Sequence, residues 1–202
     1  MIAAISLMRR RDDVPLAQFR RHWLDVHGPL VCRFAGLRRY VQCHVLSWAV
    51  STEAALAMRI DGFPILFFNN DADRMKAHGS PEMAACNVDS RLFIGAVSRV
   101  IADVEEIVPR AASAGRVSII VLDPSDPAAL ARTVRLRGLV RYHVREQGPA
   151  PNSTIPHLAA HVGGLAQAWF DNIVELEEGV AEWADANARL FVVEEHWLEP
   201  AA

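Results

Sequence analysis

Residues 19–30 read Phe-Arg-Arg-His-Trp-Leu-Asp-Val-His-Gly-Pro-Leu, and residues 36–40 follow with Gly-Leu-Arg-Arg-Tyr. Gly28-Pro29 is expected to end or bend a helix, because proline lacks the backbone donor that a continuing helix needs. A second short helical piece is expected before Gly36, and a strand after it. Apolar residues recur at helical spacing and predict one buried stripe, made of Leu16, Phe19, Trp23 and Val26.

The remaining chain alternates apolar runs with segments that have helix-start signals. A stretch rich in Pro, Ala, Ser and Gly at residues 108–115 divides it into two halves. Predicted strands lie at 2–8, 37–47, 62–68 and 97–104 in the first half, and at 117–122, 139–144, 165–170 and 190–197 in the second. Predicted helices begin near Asn69, Ser80 and Pro127, and another covers 174–189.

Two short matches recur at the same separation of 102 residues. Residues 36–40 are similar to residues 138–142, and residues 67–70 are similar to residues 169–172. Together they predict an α+β fold with two ferredoxin-like β-α-β-β-α-β units, residues 1–107 and 115–202, packed sheet to sheet as an intrachain dimeric α+β barrel. The second copy is shorter, because the interval from Leu122 to Gly138 cannot hold a helix like that of residues 19–34.

Composition excludes several classes of function. The 202 residues carry a net charge of −3, and Lys76 is the only lysine, so nucleic-acid binding is not expected. No run approaches the ~20 apolar residues of a membrane span, and the N-terminal run is too short for a signal peptide. Three cysteines without metal-type spacing favour a reducing, cytoplasmic location, and neither a metal nor a cofactor is expected.

Alternation along the strand at 37–47 divides its side chains into two sets. The set containing Val41, Cys43 and Val45 is apolar and is expected to pack under helices. The opposite set is mixed and is expected to face a ligand pocket between the two sheets, with Tyr142 as part of the wall from the second sheet. That set contains Tyr40, Gln42, His44 and Leu46.

Histidines are the candidate acids and bases. His27 closes the first helix and is expected at the rim of the pocket, and His44 lies on the same strand face as Tyr40. His22 lies five residues before His27, about 140° round an α-helix, so the two are not expected to share one site. Asp61 is expected to be a turn residue or to orient a histidine. His157 and His161 have a spacing compatible with a metal pair, but no third ligand is evident.

Several of these motifs together resemble the EthD domain, within the dimeric α+β barrel superfamily. The resemblance covers residues 3–105 specifically and residues 116–198 weakly. It is carried by His22-Trp23, His27-Gly28-Pro29-Leu30, residues 36–40, residues 42–45, Asp61-Gly62, Phe67-Phe68 and Ser80-Pro81-Glu82.

The resemblance implies a fold more than an activity. Proteins with this fold include isomerases, polyketide dehydratases and cyclases, and monooxygenases. Two interpretations stay open. One is an isomerase or lyase without a cofactor, with His27 or His44 moving a proton and Tyr40 binding the oxygen of a lactone, phenol or polyketide fragment. The other is a non-catalytic accessory protein that holds a small ligand. The whole chain could also form a homodimer.

Overall fold

The computed structural model describes residues 1–46, 52–124, 136–149, 154–183 and 188–201. The predicted helix from Pro127 lies outside these residues. The described strands are β1 Ile2–Arg10, β2 Leu37–Val45, β3 Gly62–Phe68, β4 Ile94–Val108, β5 Val117–Leu122, β6 Leu136–Gly148, β7 Gly164–Phe170 and β8 Arg189–Leu198. The helices are α1 Leu16–His22, a π-helical turn Trp23–His27, α2 Gly28–Val31, α3 Glu53–Ala57, α4 Asp71–His78, α5 Pro81–Ser90 and α6 Ile173–Trp183.

The eight described strands close into one antiparallel barrel in the order β1-β3-β2-β8-β5-β7-β6-β4. Within it, β4-β1-β3-β2 has the order of a ferredoxin-like unit, and β8-β5-β7-β6 repeats that order. The two units meet where β2 pairs with β8 and where β4 pairs with β6. The predicted α+β class and intrachain barrel are therefore confirmed. No helix among the described residues is long and apolar enough to cross a bilayer.

Strand register corrects one of the two sequence matches. In the first unit a bulge separates Leu37 from Arg39 on β2, and in the second the bulge separates Leu136 from Gly138 on β6. When Phe67 of β3 is taken as the equivalent of Trp169 of β7, the strand pairings make Leu37 the equivalent of Leu136. These two residues are 99 apart in the sequence. The match of residues 67–70 agrees with this register, and the match of 36–40 to 138–142 was wrong. A shift by an odd number of residues moves a side chain to the other face.

The faces of β2 are the reverse of those expected. Val41 and Cys43 point into the barrel, whereas Tyr40, Gln42 and His44 lie beneath the helices. The covering helix offers polar partners to Tyr40 and Gln42, so these side chains can be buried beneath it, while the apolar set packs inside the barrel. The interior cluster includes Ile5, Leu7, Phe63, Ile65, Phe67, Val100, Ile120, Tyr142, Leu165, Phe191 and Val193.

Trp23 anchors the first helix to the sheet. It is fully buried in a cluster with Phe19, Phe93 and the outer face of β1, and Leu16 packs against this cluster as predicted. Val26, the fourth residue of the predicted stripe, is 46% exposed, so its predicted burial was wrong. Gly62 on β3 makes room for the indole, because a Cβ there would lie 2.4 Å from Cζ3 of Trp23. Gly62 therefore fixes how closely the helix approaches the sheet.

We expect Trp23→Ala to lower the free energy of unfolding by ~3–5 kcal/mol, because it removes a buried large aromatic side chain. Val26→Ala, at an exposed position of the same π-helical turn, is the control and should change it by less than ~0.5 kcal/mol. Urea unfolding followed by circular dichroism measures both. A loss below ~1 kcal/mol for Trp23→Ala would contradict the anchoring role.

Candidate functional site

The π-helical turn brings His22 and His27 to one side of the helix. The backbone N–H of Gly28 donates to the carbonyl of Trp23, an i to i+5 bond, so residues five apart align. His22 Nε2 lies 2.9 Å from Oδ1 of Asp89, and His27 Nδ1 lies 2.8 Å from its Oδ2. The expectation that these histidines could not share one site was wrong, since it assumed an unbroken α-helix.

Asp89 holds the two imidazoles as a buried carboxylate. Burial by itself would raise the pKa of Asp89, but hydrogen bonds from His27 and His22 outweigh it and hold that pKa below its usual value. An ionised carboxylate only accepts hydrogen bonds, so each imidazole donates to it. In neutral His27 the proton is therefore on Nδ1, and Nε2 has a free lone pair. No hydrogen bond joins Nε2 to another described residue.

His27 lines a cavity of about 120 Å³ between the outer face of the first sheet and the helices. The sheet contributes residues from β1, β2, β3 and β4, and the cover comes from α2, α4 and α5. Its apolar wall includes Ala4, Val31, Phe34, Leu66, Phe68, Met83, Ile94, Val97 and Ile155. Its polar lining includes Ser6, His27, Tyr40, Arg74, His78, Asn87, Ser90 and Arg99. We call this space the outer cavity.

Tyr40 brings a second polar group to the outer cavity. Its hydroxyl oxygen accepts from Nε1 of Trp23 at 3.0 Å and from Nε2 of Gln42 at 3.1 Å. The amide of Gln42 is fixed in this orientation because Nε2 also donates to the carbonyl of Trp23 at 2.8 Å. The hydroxyl proton of Tyr40 has no acceptor among the described residues. Burial raises the pKa of Tyr40, so the hydroxyl stays protonated and keeps a proton that it can donate.

Comparison with known protein families finds one whose match includes the two histidines, Asp89 and Tyr40. The EthD domain family matches residues 11–96, which include His22, His27, Tyr40 and Asp89. Residues 11–96 are an EthD domain.

Solved structures show the same fold over the whole chain. An anthrone oxidase-like protein is 8% identical, with a TM-score of 0.63 over 100% of this chain and 96% of its own. A candidate monooxygenase from Fusobacterium nucleatum is 6% identical, with a TM-score of 0.56 over 98% of this chain and 94% of its own. At these identities the likeness concerns the fold alone. The sequence matches no curated protein.

His44 of the EthD domain lies beside this site but not in the lining of the outer cavity. Its ring stacks on Trp23 at 4.3 Å, and its Nε2 lies 3.0 Å from Oε1 of Gln42. That amide oxygen only accepts, so Nε2 of His44 donates to it. Burial, with His196 as the next cause, lowers the pKa of His44 to about 3. The neutral ring positions Gln42, which in turn orients Tyr40.

The other predicted site residues lie apart from the outer cavity. Asp61 accepts from the backbone N–H of Arg10 at 2.9 Å and pairs with its side chain, so it orients no histidine. Leu46 packs in the outer cluster of the second unit. Tyr142 points into the barrel, where its hydroxyl donates to Oε1 of Gln167 at 3.0 Å.

The barrel end near Tyr142 contains a second, separate polar cluster around Glu195. This fully buried carboxylate accepts from Trp169 at 2.6 Å, Gln167 at 2.7 Å and Ser118 at 3.0 Å, and it pairs with Arg110 at 3.3 Å. Burial raises the pKa of Glu195. Apart from Ser118, these residues border a space of about 100 Å³. The expected gap between the sheets therefore exists, but Tyr142 is the one predicted ligand residue in its lining.

Sequence reasoning missed Asp89 and the polar residues of α4 and β4. A signal for Asp89 was present, because it lies three residues after the apolar Cys86 in a segment predicted to be helical. That spacing places an acid on the apolar stripe of a helix, where it needs a partner. No group of three or more His, Cys, Asp or Glu residues suited to a metal occurs in the described part of the chain.

We expect acid to destabilise this region through His44. The unfolded imidazole binds a proton below about pH 6.5, whereas the folded one does so only near 3, so stability falls as pH falls between these values. From pH 6.5 to 5 the loss should be ~2 kcal/mol. His44→Gln, which keeps a donor to Gln42, should lack this part of the pH dependence in urea unfolding at pH 7 and 5.

The exposed His161→Gln variant is the control and should show the wild-type pH dependence. An equal loss of stability with acid in His44→Gln and in the wild type would contradict this assignment.

Proposed function

We propose that this protein is a cofactor-free acid–base enzyme, of the isomerase or lyase type, that acts on a small, mostly apolar oxygenated molecule in the outer cavity. One observation carries the proposal. A histidine with a free Nε2 and a tyrosine with an undirected hydroxyl proton both line the same, largely apolar cavity.

His27 has the arrangement of a general base. Asp89 holds its Nδ1–H and thereby fixes the tautomer whose Nε2 can accept a proton. When Nε2 takes a proton from a carbon next to a carbonyl, the C–H electron pair moves toward the carbonyl oxygen. The nearby carboxylate stabilises the imidazolium that forms. Return of the proton to another carbon gives isomerisation, and its transfer to a departing hydroxyl gives dehydration.

Tyr40 is suited to donate a hydrogen bond to the substrate oxygen on which negative charge develops. Its hydroxyl receives two hydrogen bonds, which polarise it, and its own proton is free to be donated. A donor that is already oriented needs no rearrangement when charge develops on the substrate. His22, Gln42 and His44 act through other residues, since they hold Asp89 and Tyr40 in place and do not line the outer cavity.

Cavity size limits the substrate. A cavity of ~150 Å³ lined by apolar side chains holds one benzene molecule. The outer cavity, at about 120 Å³, is smaller than this, so it admits one ring at most, such as a lactone or a phenol. A multi-ring polyketide would require the cover to move.

Proton exchange tests the proposal at its first step, the removal of a proton from carbon, whatever reaction follows. Small cyclic ketones and lactones are incubated with the protein in D2O, and loss of the signal of the protons next to the carbonyl is followed by NMR. We expect catalysed exchange that falls by ~10²–10⁴-fold in His27→Gln, the usual contribution of a general base. Tyr40→Phe should reduce the rate with the fold intact.

His161 is exposed and does not line the outer cavity, so His161→Gln should exchange at the wild-type rate. Exchange that is unaffected by His27→Gln would refute the assigned base. Binding of these rings without any exchange would favour the non-catalytic accessory protein, because the same cavity can hold a ligand without reacting with it.

A further inference from the structure

A positive charge without a counter-ion lies in the lining of the outer cavity. Arg99 projects from β4, is half-buried and forms no ion pair with any carboxylate of the described residues. Among the described residues that line the cavity, none is an Asp or a Glu, and two are arginines. A buried cation is costly unless an anion accompanies it.

His78 orients Arg99 but does not neutralise it. Nη1 of Arg99 donates to Nε2 of His78 at 2.7 Å, so that nitrogen has no proton of its own. Burial, with the charge of Arg99 as the next cause, lowers the pKa of His78 to about 4. At neutral pH the pair therefore has a single positive charge, and one edge of the guanidinium is fixed in direction by an uncharged partner.

Arg74 is the second arginine in the lining of the outer cavity. It is only 6% exposed and pairs with Asp71 through Nε at 2.7 Å, so its own charge is matched. Burial, with the charge of Arg74 as the next cause, lowers the pKa of Arg99 to about 10, and the charge of Glu146 offsets part of this lowering. Arg99 remains protonated at neutral pH and is the cation of the cavity that has no carboxylate partner among the described residues.

We propose that the ligand of the outer cavity is a single-ring carboxylate whose carboxylate group binds Arg99. The planar guanidinium matches a carboxylate in geometry as well as in charge. The apolar wall and the volume of about 120 Å³ account for the ring. Arg99 lies beyond residues 11–96, so this recognition is a property of this chain outside its EthD domain. The inference rests on the proposed function, in which the substrate reacts beside His27 and Tyr40.

Benzoate and benzamide are a matched pair of probes, because they have nearly the same shape and differ in charge. We expect isothermal titration calorimetry to show tighter binding of benzoate to the wild type. Arg99→Gln keeps a donor for His78 and should weaken benzoate binding by ~10–100-fold, the weight of a hydrogen-bonded charge. Its affinity for benzamide should change by less than ~3-fold. Arg38→Gln, at an exposed site on β2, should bind both probes like the wild type.

Arg99→Lys keeps the charge but loses the planar fork, and it should bind benzoate with intermediate affinity. If Arg99→Gln does not fold, Arg99→Lys and the preference of the wild type for benzoate decide the matter. The proposal is overturned if the wild type binds neither probe, if it binds both equally, or if Arg99→Gln retains benzoate. It is overturned as well if inorganic phosphate displaces benzoate at equal concentration, since the ring would then contribute nothing.

The two proposals fail in different ways. If the protein binds benzoate and benzamide equally but still catalyses proton exchange on neutral ketones, the carboxylate ligand is rejected and the acid–base function is kept. Arg99-dependent binding of benzoate with no exchange on any ring would reject the enzyme and keep the carboxylate site.

Discussion

The buried carboxylate of Asp89 is the constraint on which the first unit depends. An unpaired carboxylate at this depth would cost several kcal/mol, so the fold must bring donors to it. Both donors come from one helix, and they align only because the helix takes an i to i+5 turn between them. The need to pair this buried charge is therefore a physical reason for the π-helical turn. The turn also orients His27, whose second nitrogen is left for the cavity.

The sequence predicted the fold better than it predicted the site. Apolar runs and cap residues located the strands and the starts of the helices to within a few residues, as Asn70 and Ser80 illustrate by capping α4 and α5. Alternation divided β2 into two sets of side chains, but polarity assigned them to the wrong faces. The helix above β2 brings an indole N–H and a carbonyl to Gln42 and Tyr40, so polar residues are satisfied there. Sequence polarity cannot register a partner supplied by a distant backbone.

Periodicity failed at the π-helical turn and at the bulges for a related reason. A rotation of 100° per residue places His22 and His27 apart, and one inserted residue in the turn removes the difference. The bulges at Leu37 and Leu136 likewise alter the register, so that Tyr142 corresponds to Cys43 and faces the barrel. Both features preserve the local pattern of apolar residues and change only the phase, and for that reason pattern reasoning misses them.

The closed barrel ties the outer cavity to both halves of the chain. β4 pairs with β1 on one side and with β6 on the other, where Arg99 lies opposite Gly148. Val97 also exchanges hydrogen bonds with the segment of Pro156 and Leu158, both at 3.0 Å. That segment brings Ile155 to the wall of the cavity. The base and the hydroxyl thus come from the EthD domain, whereas the guanidinium is on a strand that the second unit holds in place. A separated first unit would lose one of the two ladders that position Arg99 while keeping Asp89 and both of its imidazoles, so anion recognition depends on the closed barrel more than the His–Asp pair does.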